Sequence, residues 1–321
     1  MTTATIPAAQ AEGALARLEA NVEQIIRGKS EVVRLAIIGL LAHGHILFED
    51  VPGVGKTTLA HCIARSLGLR FQRIQFTSDL MPSDILGVTV YDPEKREFEF
   101  RPGPIFANVV LVDEINRTTP KTQSALLEAM NTAKVSIEKV TYDLPSPFFL
   151  IATQNPVEVH GTFPLPQSQL DRFMMRLHLG YPEADFEREI LKSVRAPNDL
   201  SGVQPVLSGE ELAAMQAGVL QVRVDEGLID YIVRFVGATR QSELLEVGVS
   251  TRGALALRRC AQARAYSLGR DYCVPDDVKA MAVPVLAHRI TPSRRFLDGA
   301  DGVGHGRRHI EAILEEVEVP I

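Results

Sequence analysis

The run His45–Leu59, HILFEDVPGVGKTTL, sets Gly53, Val54, Gly55, Lys56, Thr57 and Thr58 between an apolar stretch and a segment with helical apolar spacing. Residues of these types in this order bind phosphate. Gly53 and Gly55 tolerate backbone angles that a side chain forbids, so successive N–H groups can turn toward an anionic oxygen at a helix N-terminus. Lys56 suits the β- and γ-phosphates of a nucleotide, and the Thr57 hydroxyl suits Mg²⁺. The strict pattern G-x-x-x-x-G-K-[ST] would have its first glycine at residue 50. Asp50 stands there instead, a carboxylate beside an anion site.

A second group of chemistry-bearing residues follows Val109-Val110-Leu111-Val112, a run suited to a parallel strand buried on both faces, whose C-terminal end is where α/β folds hold ligands. Asp113 there could hold Mg²⁺ through water, and Glu114 could orient or deprotonate the water that attacks a γ-phosphate. Another buried run, 148–153, ends in Gln154-Asn155-Pro156. If the two strands are neighbours, the Asn155 amide lies beside the carboxylates and can bond the γ-phosphate or the water. Ile26 and Gly28, in the turn after the first helical segment, are candidates for adenine contacts, with a plain helix–helix connection as the alternative. Spacing alone leaves Arg172 as a surface ion pair. His43 and His45 read as structural, and Cys62, Cys260 and Cys273 lack metal or redox spacing and read as packing residues.

The elements that must position these residues fall into two parts. Over residues 1–181 helical and strand patterns alternate, with an N-terminal helix over 9–26 and a second helix over 32–41. Strands are expected at 70–75, 109–112, 148–153 and 174–179, and helices after the phosphate loop and over 120–130. A period-2 pattern around the turn at 92–95 predicts a β-hairpin at 88–100, and a second candidate hairpin spans 134–143. From residue 182 to 321 helices take over, at about 183–194, 208–219, 225–241, 251–268, 275–288 and 306–316, with Ser208 and Glu211 spaced as a capping box.

Composition limits the function classes. The 321 residues are 45% hydrophobic and 23% charged, as in a soluble globular protein, and the net charge of −6 argues against a surface devoted to nucleic acid. No export signal and no membrane-spanning run is visible, so a cytoplasmic protein that is not integral to a membrane is expected.

Taken together, EDVPGVGKT (49–57), the run from GVTVYDPEKREFEF through VVLVDEINRTTP to ALLEAM (87–130), FFLIATQNPVEVHGTFPLPQSQLDRF (148–173) and VGVSTRGALALRRC with its continuation to 290 resemble the MoxR family of AAA+ ATPases, over about residues 25–320. The resemblance implies an α/β AAA+ P-loop NTPase core, a parallel sheet flanked by helices with two β-hairpin inserts, followed by an all-helical lid domain. It implies ATP and Mg²⁺, with Lys56 and Thr57 as the Walker A pair, Asp113 and Glu114 as the Walker B pair, and Asn155 as the first sensor. It also implies that Arg172 is an arginine finger reaching the neighbouring subunit's γ-phosphate, that Arg252 is the second sensor on the lid, and that Arg117 lies near the subunit interface. Asp50 occurs in this family too. Relatives form rings, usually hexamers, with the hairpins on the pore side. They look like ATP-driven chaperones that assemble or activate protein complexes, commonly beside a von Willebrand factor A-domain protein. Two other readings use the same loop: a nucleotide-gated scaffold with little turnover, and a phosphotransferase acting on a small acceptor as a monomer.

Overall fold

The computed structural model of the chain describes residues 5–156, 161–192, 200–293 and 302–319. Helices α1 (Ala8–Glu23) and α2 (Ser30–Leu41) lead into strand β1 (Ile46–Glu49) and helix α3 (Lys56–Ser66), followed by β2 (Phe71–Gln75) and a short α4 (Pro82–Leu86). The first hairpin is β3 (Gly87–Asp92) with β4 (Glu97–Pro102). Strand β5 (Val109–Asp113), α5 (Pro120–Thr132) and the second hairpin, β6 (Lys134–Ile137) with β7 (Val140–Asp143), come next. Then follow β8 (Phe149–Gln154), α6 (Gln167–Leu170) and β9 (Met175–Leu177). The remainder is α7 (Ala184–Lys192), α8 (Gly209–Val219), α9 (Glu226–Gln241), β10 (Leu245–Val247), α10 (Thr251–Ser267), α11 (Pro275–Leu286), β11 (Thr291–Pro292) and α12 (Gly302–Glu316).

The core sheet is parallel, in the order β2-β5-β8-β1-β9. Its central strands are continuous apolar runs because both faces are covered. On one face Ile46, Phe48, Val109, Leu111, Phe149 and Ile151 join the core formed with α1, α2 and α3. On the other, Leu47, Val110, Val112, Leu150 and Ala152 pack with Leu126, Leu127 and Met130 of α5. Alternation along each strand thus feeds two cores. Register pairs Gln75 with Asp113, and Glu49 with Gln154, so the strands end level at the edge from which the phosphate loop leaves β1.

Both expected hairpins form, and they touch: the rings of Phe100 and Tyr142 stack with centroids 4.0 Å apart. At the free end of the first, Tyr91 and Phe98 are exposed and meet edge to face. The C-terminal part is helical as expected, apart from the short antiparallel ladder between β10 and β11. For the helix expected over 183–194, residues 193 and 194 lie outside the described residues. The capping box at α8 is reciprocal: Glu211 N donates to Ser208 Oγ (3.1 Å), and Ser208 N donates to Glu211 Oε2 (2.7 Å). The three cysteine thiols are buried and free, and burial pushes each up, to about 11 for Cys62 and about 12 for Cys260 and Cys273. No helix among the described residues is long and apolar enough to cross a membrane.

A buried arginine is among the contacts that fasten the helical part to the sheet. Arg289, just past α11, donates from Nε to Asp171 Oδ1 (2.8 Å), from Nη2 to the carbonyls of Asp171 (3.2 Å) and Phe173 (2.6 Å), and from Nη1 to Met174 O (3.1 Å). A charge so deeply buried needs partners of this number, since an unpaired one costs several kcal/mol.

His45 shows why a polar residue starts a buried strand. Its Nδ1 accepts from Leu150 N (3.0 Å), which leaves the proton on Nε2 to donate to Met130 O (2.9 Å). Burial lowers its pKa from 6.5 to about 4. The unfolded chain therefore binds a proton at a higher pH than the folded one, so stability present above pH 6.5 is lost as pH falls toward 4, by about 3 kcal/mol at most. Urea unfolding between pH 7 and 4 should show a steeper loss for the native chain than for His45→Gln; parallel curves would contradict the assignment.

Candidate active site

The phosphate loop spans residues 50–55, between β1 and α3. Gly53 and Gly55 have φ of +88° and +99°, values a residue with a Cβ rarely adopts. No heavy atom lies within 4 Å of a Cβ built at Gly53, so backbone conformation rather than space demands glycine there. Lys56 folds back over the loop, donating from Nζ to the carbonyls of Asp50 (2.8 Å) and Val51 (3.2 Å). Burial lowers its pKa, while Asp50, Asp113 and Glu114 act in the opposite direction.

Asp50 is not an anion pointed at the loop's anion site. Its Oδ2 accepts from Leu179 N (2.6 Å) and its Oδ1 from Gly180 N (3.1 Å), so it joins the loop to the segment after β9. Charge-assisted bonds of this kind are about twice as strong as neutral ones, which removes the objection that its charge raised in the sequence.

The end of β5 carries the two carboxylates, and both are held from β8 and β2. Asp113 is buried; its Oδ1 accepts from the Thr153 hydroxyl (3.2 Å) and its Oδ2 from Arg73 Nε (2.6 Å). Glu114 has a φ of +58°, an uncommon value for a residue with a side chain and one found at functional sites. Its N–H donates to Thr153 Oγ1 (3.0 Å), and its Oε2 accepts from Gln75 Nε2 (2.7 Å) and pairs with Arg117 Nε (3.0 Å). Arg117 therefore engages its own chain's Glu114. Thr153, Gln75 and Arg73 were not singled out by sequence reasoning. The available signal for Thr153 was a hydroxyl closing an otherwise apolar run; for the other two it was their place on a strand that pairs with β5.

These groups line a cavity of about 960 Å³, a volume suited to a small-molecule ligand. Gly53, Val54, Gly55, Lys56, Thr57, Thr58, Asp113, Glu114, Thr153 and Asn155 lie there. Residues 24–27, with Ile26 among them, Leu179, Pro182 and Leu191 line it as well. Of the residues expected to act, Gly28, Arg172 and Arg252 do not line the cavity. At Gly28 (φ +70°) a Cβ would come within 2.5 Å of the Phe186 ring, so its role here is a tight turn under α7. Arg172 is half-buried, with Nη1 donating to Leu127 O (3.2 Å) and Nε without a partner among the described residues. Arg252 is exposed in the first turn of α10, whose capping residue Ser250 donates to Asp171 Oδ2 (3.2 Å). The segments that carry the two arginines thus meet through Ser250 and Asp171, and neither arginine lines this chain's own cavity.

The donor set fits Mg²⁺: a hydroxyl, Thr57, and a carboxylate, Asp113, are hard oxygen ligands of the kind that ion shares with phosphates.

Residues 45–175 match the family model described as ATPase family associated with various cellular activities (AAA), and residues 237–305 match the AAA lid domain. The uncharacterized protein YeaC of Bacillus subtilis is 45% identical over 94% of this chain and 93% of its own length. Chaperone MoxR1 of Mycobacterium tuberculosis is 42% identical over 84% of this chain and 74% of its own. A crystal structure of a protein from Cytophaga hutchinsonii superposes with a TM-score of 0.87 at 38% identity, covering 96% of this chain and 95% of that one.

Thr153 offers a direct check of the geometry. Thr153→Val keeps the shape but leaves Asp113 Oδ1 and Glu114 N–H without their buried partner, and should cost about 1–3 kcal/mol in urea unfolding, whereas Thr153→Ser should retain most of it.

Proposed function

The chain belongs to the MoxR family of AAA+ ATPases, and from that premise we propose that it binds and hydrolyses ATP with Mg²⁺ at the subunit interfaces of a homo-oligomeric, hexameric ring. Turnover there drives chaperone-like remodelling, assembly or activation of a protein partner in the cytoplasm, one carrying a von Willebrand factor A domain. The observation that supports this reading is the division of labour around the cavity: Lys56, Thr57, Asp113, Glu114 and Asn155 line it, while Arg172 and Arg252, on two segments joined by the Ser250–Asp171 hydrogen bond, do not.

In this mechanism Lys56 gives up its two loop carbonyls for the β- and γ-phosphates, and the N–H groups around Gly53 and Gly55 take the phosphate oxygens. Thr57 and Asp113 hold the Mg²⁺. When bound, the ion supplies positive charge to the phosphate oxygens. Asn155 orients the attacking water and Glu114 accepts its proton, once Glu114 is released from Gln75 and Arg117. Arg172 of one subunit serves the γ-phosphate of the next, with Arg252 delivered beside it. Arginines supplied in trans accelerate phosphoryl transfer by about 10³–10⁵, or roughly 4–7 kcal/mol. The core, residues 1–181, carries the chemistry, and the helical lid, 182–321, reports nucleotide state to the partner.

Two experiments separate the roles. Lys56→Ala should abolish binding of a fluorescent ATP analogue, while Glu114→Gln should keep ATP bound and stop phosphate release; equal loss of binding in both would contradict the assignment. Arg172→Ala and Lys56→Ala subunits, each inactive alone, should regain part of the activity when mixed, because a mixed interface joins one intact loop to one intact arginine. No recovery despite demonstrated co-assembly, or full turnover by a dilute monomer, would instead indicate a phosphotransferase or a site complete within one chain.

A further inference from the structure

Arg73 lines the cavity beside Asp113, and the mechanism above does not use it. It lies on β2, opposite Leu111 and two residues before Gln75, the register partner of Asp113. From there its Nε reaches Asp113 Oδ2 at 2.6 Å, and its Nη2 is steadied by Gln75 Oε1 at 3.2 Å. The carboxylate of this pair is 9% exposed and the guanidinium side chain 52%. Asp113 is therefore fixed, whereas Arg73 is free to swing out without opening the core.

The carboxylate has two oxygens and two claimants. Oδ1 is committed to the Thr153 hydroxyl, which also holds the Glu114 N–H, so it belongs to the framework of the site. Oδ2 is left to serve a cation, and Arg73 has it. A guanidinium and a divalent ion beside the same oxygen would sit a few ångströms apart in a partly desolvated cavity, where like charges repel strongly. Without any cation, a buried carboxylate next to Glu114 would be unpaired.

We propose that Arg73 is a placeholder cation: it occupies the metal-facing oxygen of Asp113 in the nucleotide-free chain and must leave that oxygen when Mg²⁺ arrives with the nucleotide. The inference rests on the assignment of this cavity to ATP and Mg²⁺. It makes Arg73 a positioning residue that sets how strongly metal and nucleotide bind together.

The test is a binding measurement. The affinity of a fluorescent, non-hydrolysable ATP analogue is determined in excess Mg²⁺ and in EDTA, and the ratio of the two dissociation constants gives the gain from the metal. Arg73→Gln keeps a polar side chain but removes the competing charge, and should raise that gain by about tenfold over the native chain. Arg73→Lys should leave it within about threefold. In an Asp113→Asn background, Arg73→Gln should have no further effect. A gain that is unchanged or reduced in Arg73→Gln, or one that persists without the Asp113 charge, would overturn the proposal. Retention of analogue binding by Lys56→Ala would instead remove the underlying nucleotide assignment, a result distinct from any change at Arg73.

Discussion

Parallel register among β1, β8 and β5 is the constraint on which the site depends. Three strands buried on both faces leave nowhere for polar chemistry except their ends, and the pairing of Val112 with Ala152 and of Glu49 with Gln154 brings those ends to one level. Thr153 then stands where a single hydroxyl can accept from Glu114 N–H and donate to Asp113. The positive φ of Glu114 is tolerated because that N–H is held in place. A slip of one residue would turn Asp113 toward the opposite face and dissolve the arrangement.

The strong charges around the phosphate loop named above each have partners within the chain. Lys56 rests on carbonyls, Asp50 on backbone N–H groups, Asp113 on Arg73, and Glu114 on Gln75 and Arg117. Occupying the site therefore means exchanging partners rather than filling a set of bare charges. That distinction matters energetically, because the desolvation of buried ions has been met in advance.

Much of this was legible in the sequence where the governing physics is local. The apolar runs marked the central strands, Gly53 and Gly55 marked the loop, the turn at 92–95 marked the first hairpin, and Ser208 with Glu211 marked a helix start. What escaped were the contacts made across strands or between distant segments. Gln75 and Arg73 on a partner strand, the two backbone donors that take up Asp50, and Phe186 closing over Gly28 are each set by tertiary placement that no window of sequence encodes. Gly28 shows the limit well: its turn was visible, but the ring that prevents it from carrying a Cβ lies more than a hundred positions away.

The Arg289 junction has a mechanical corollary. Its bonds grip a stretch of main chain, the carbonyls of Asp171, Phe173 and Met174, on either side of residue 172. A pivot cannot form at that point while the grip lasts. Any torque on the helical bundle is carried into the segment leading to β9 as though the two were a single lever, and the guanidinium at position 172 rides on its short arm.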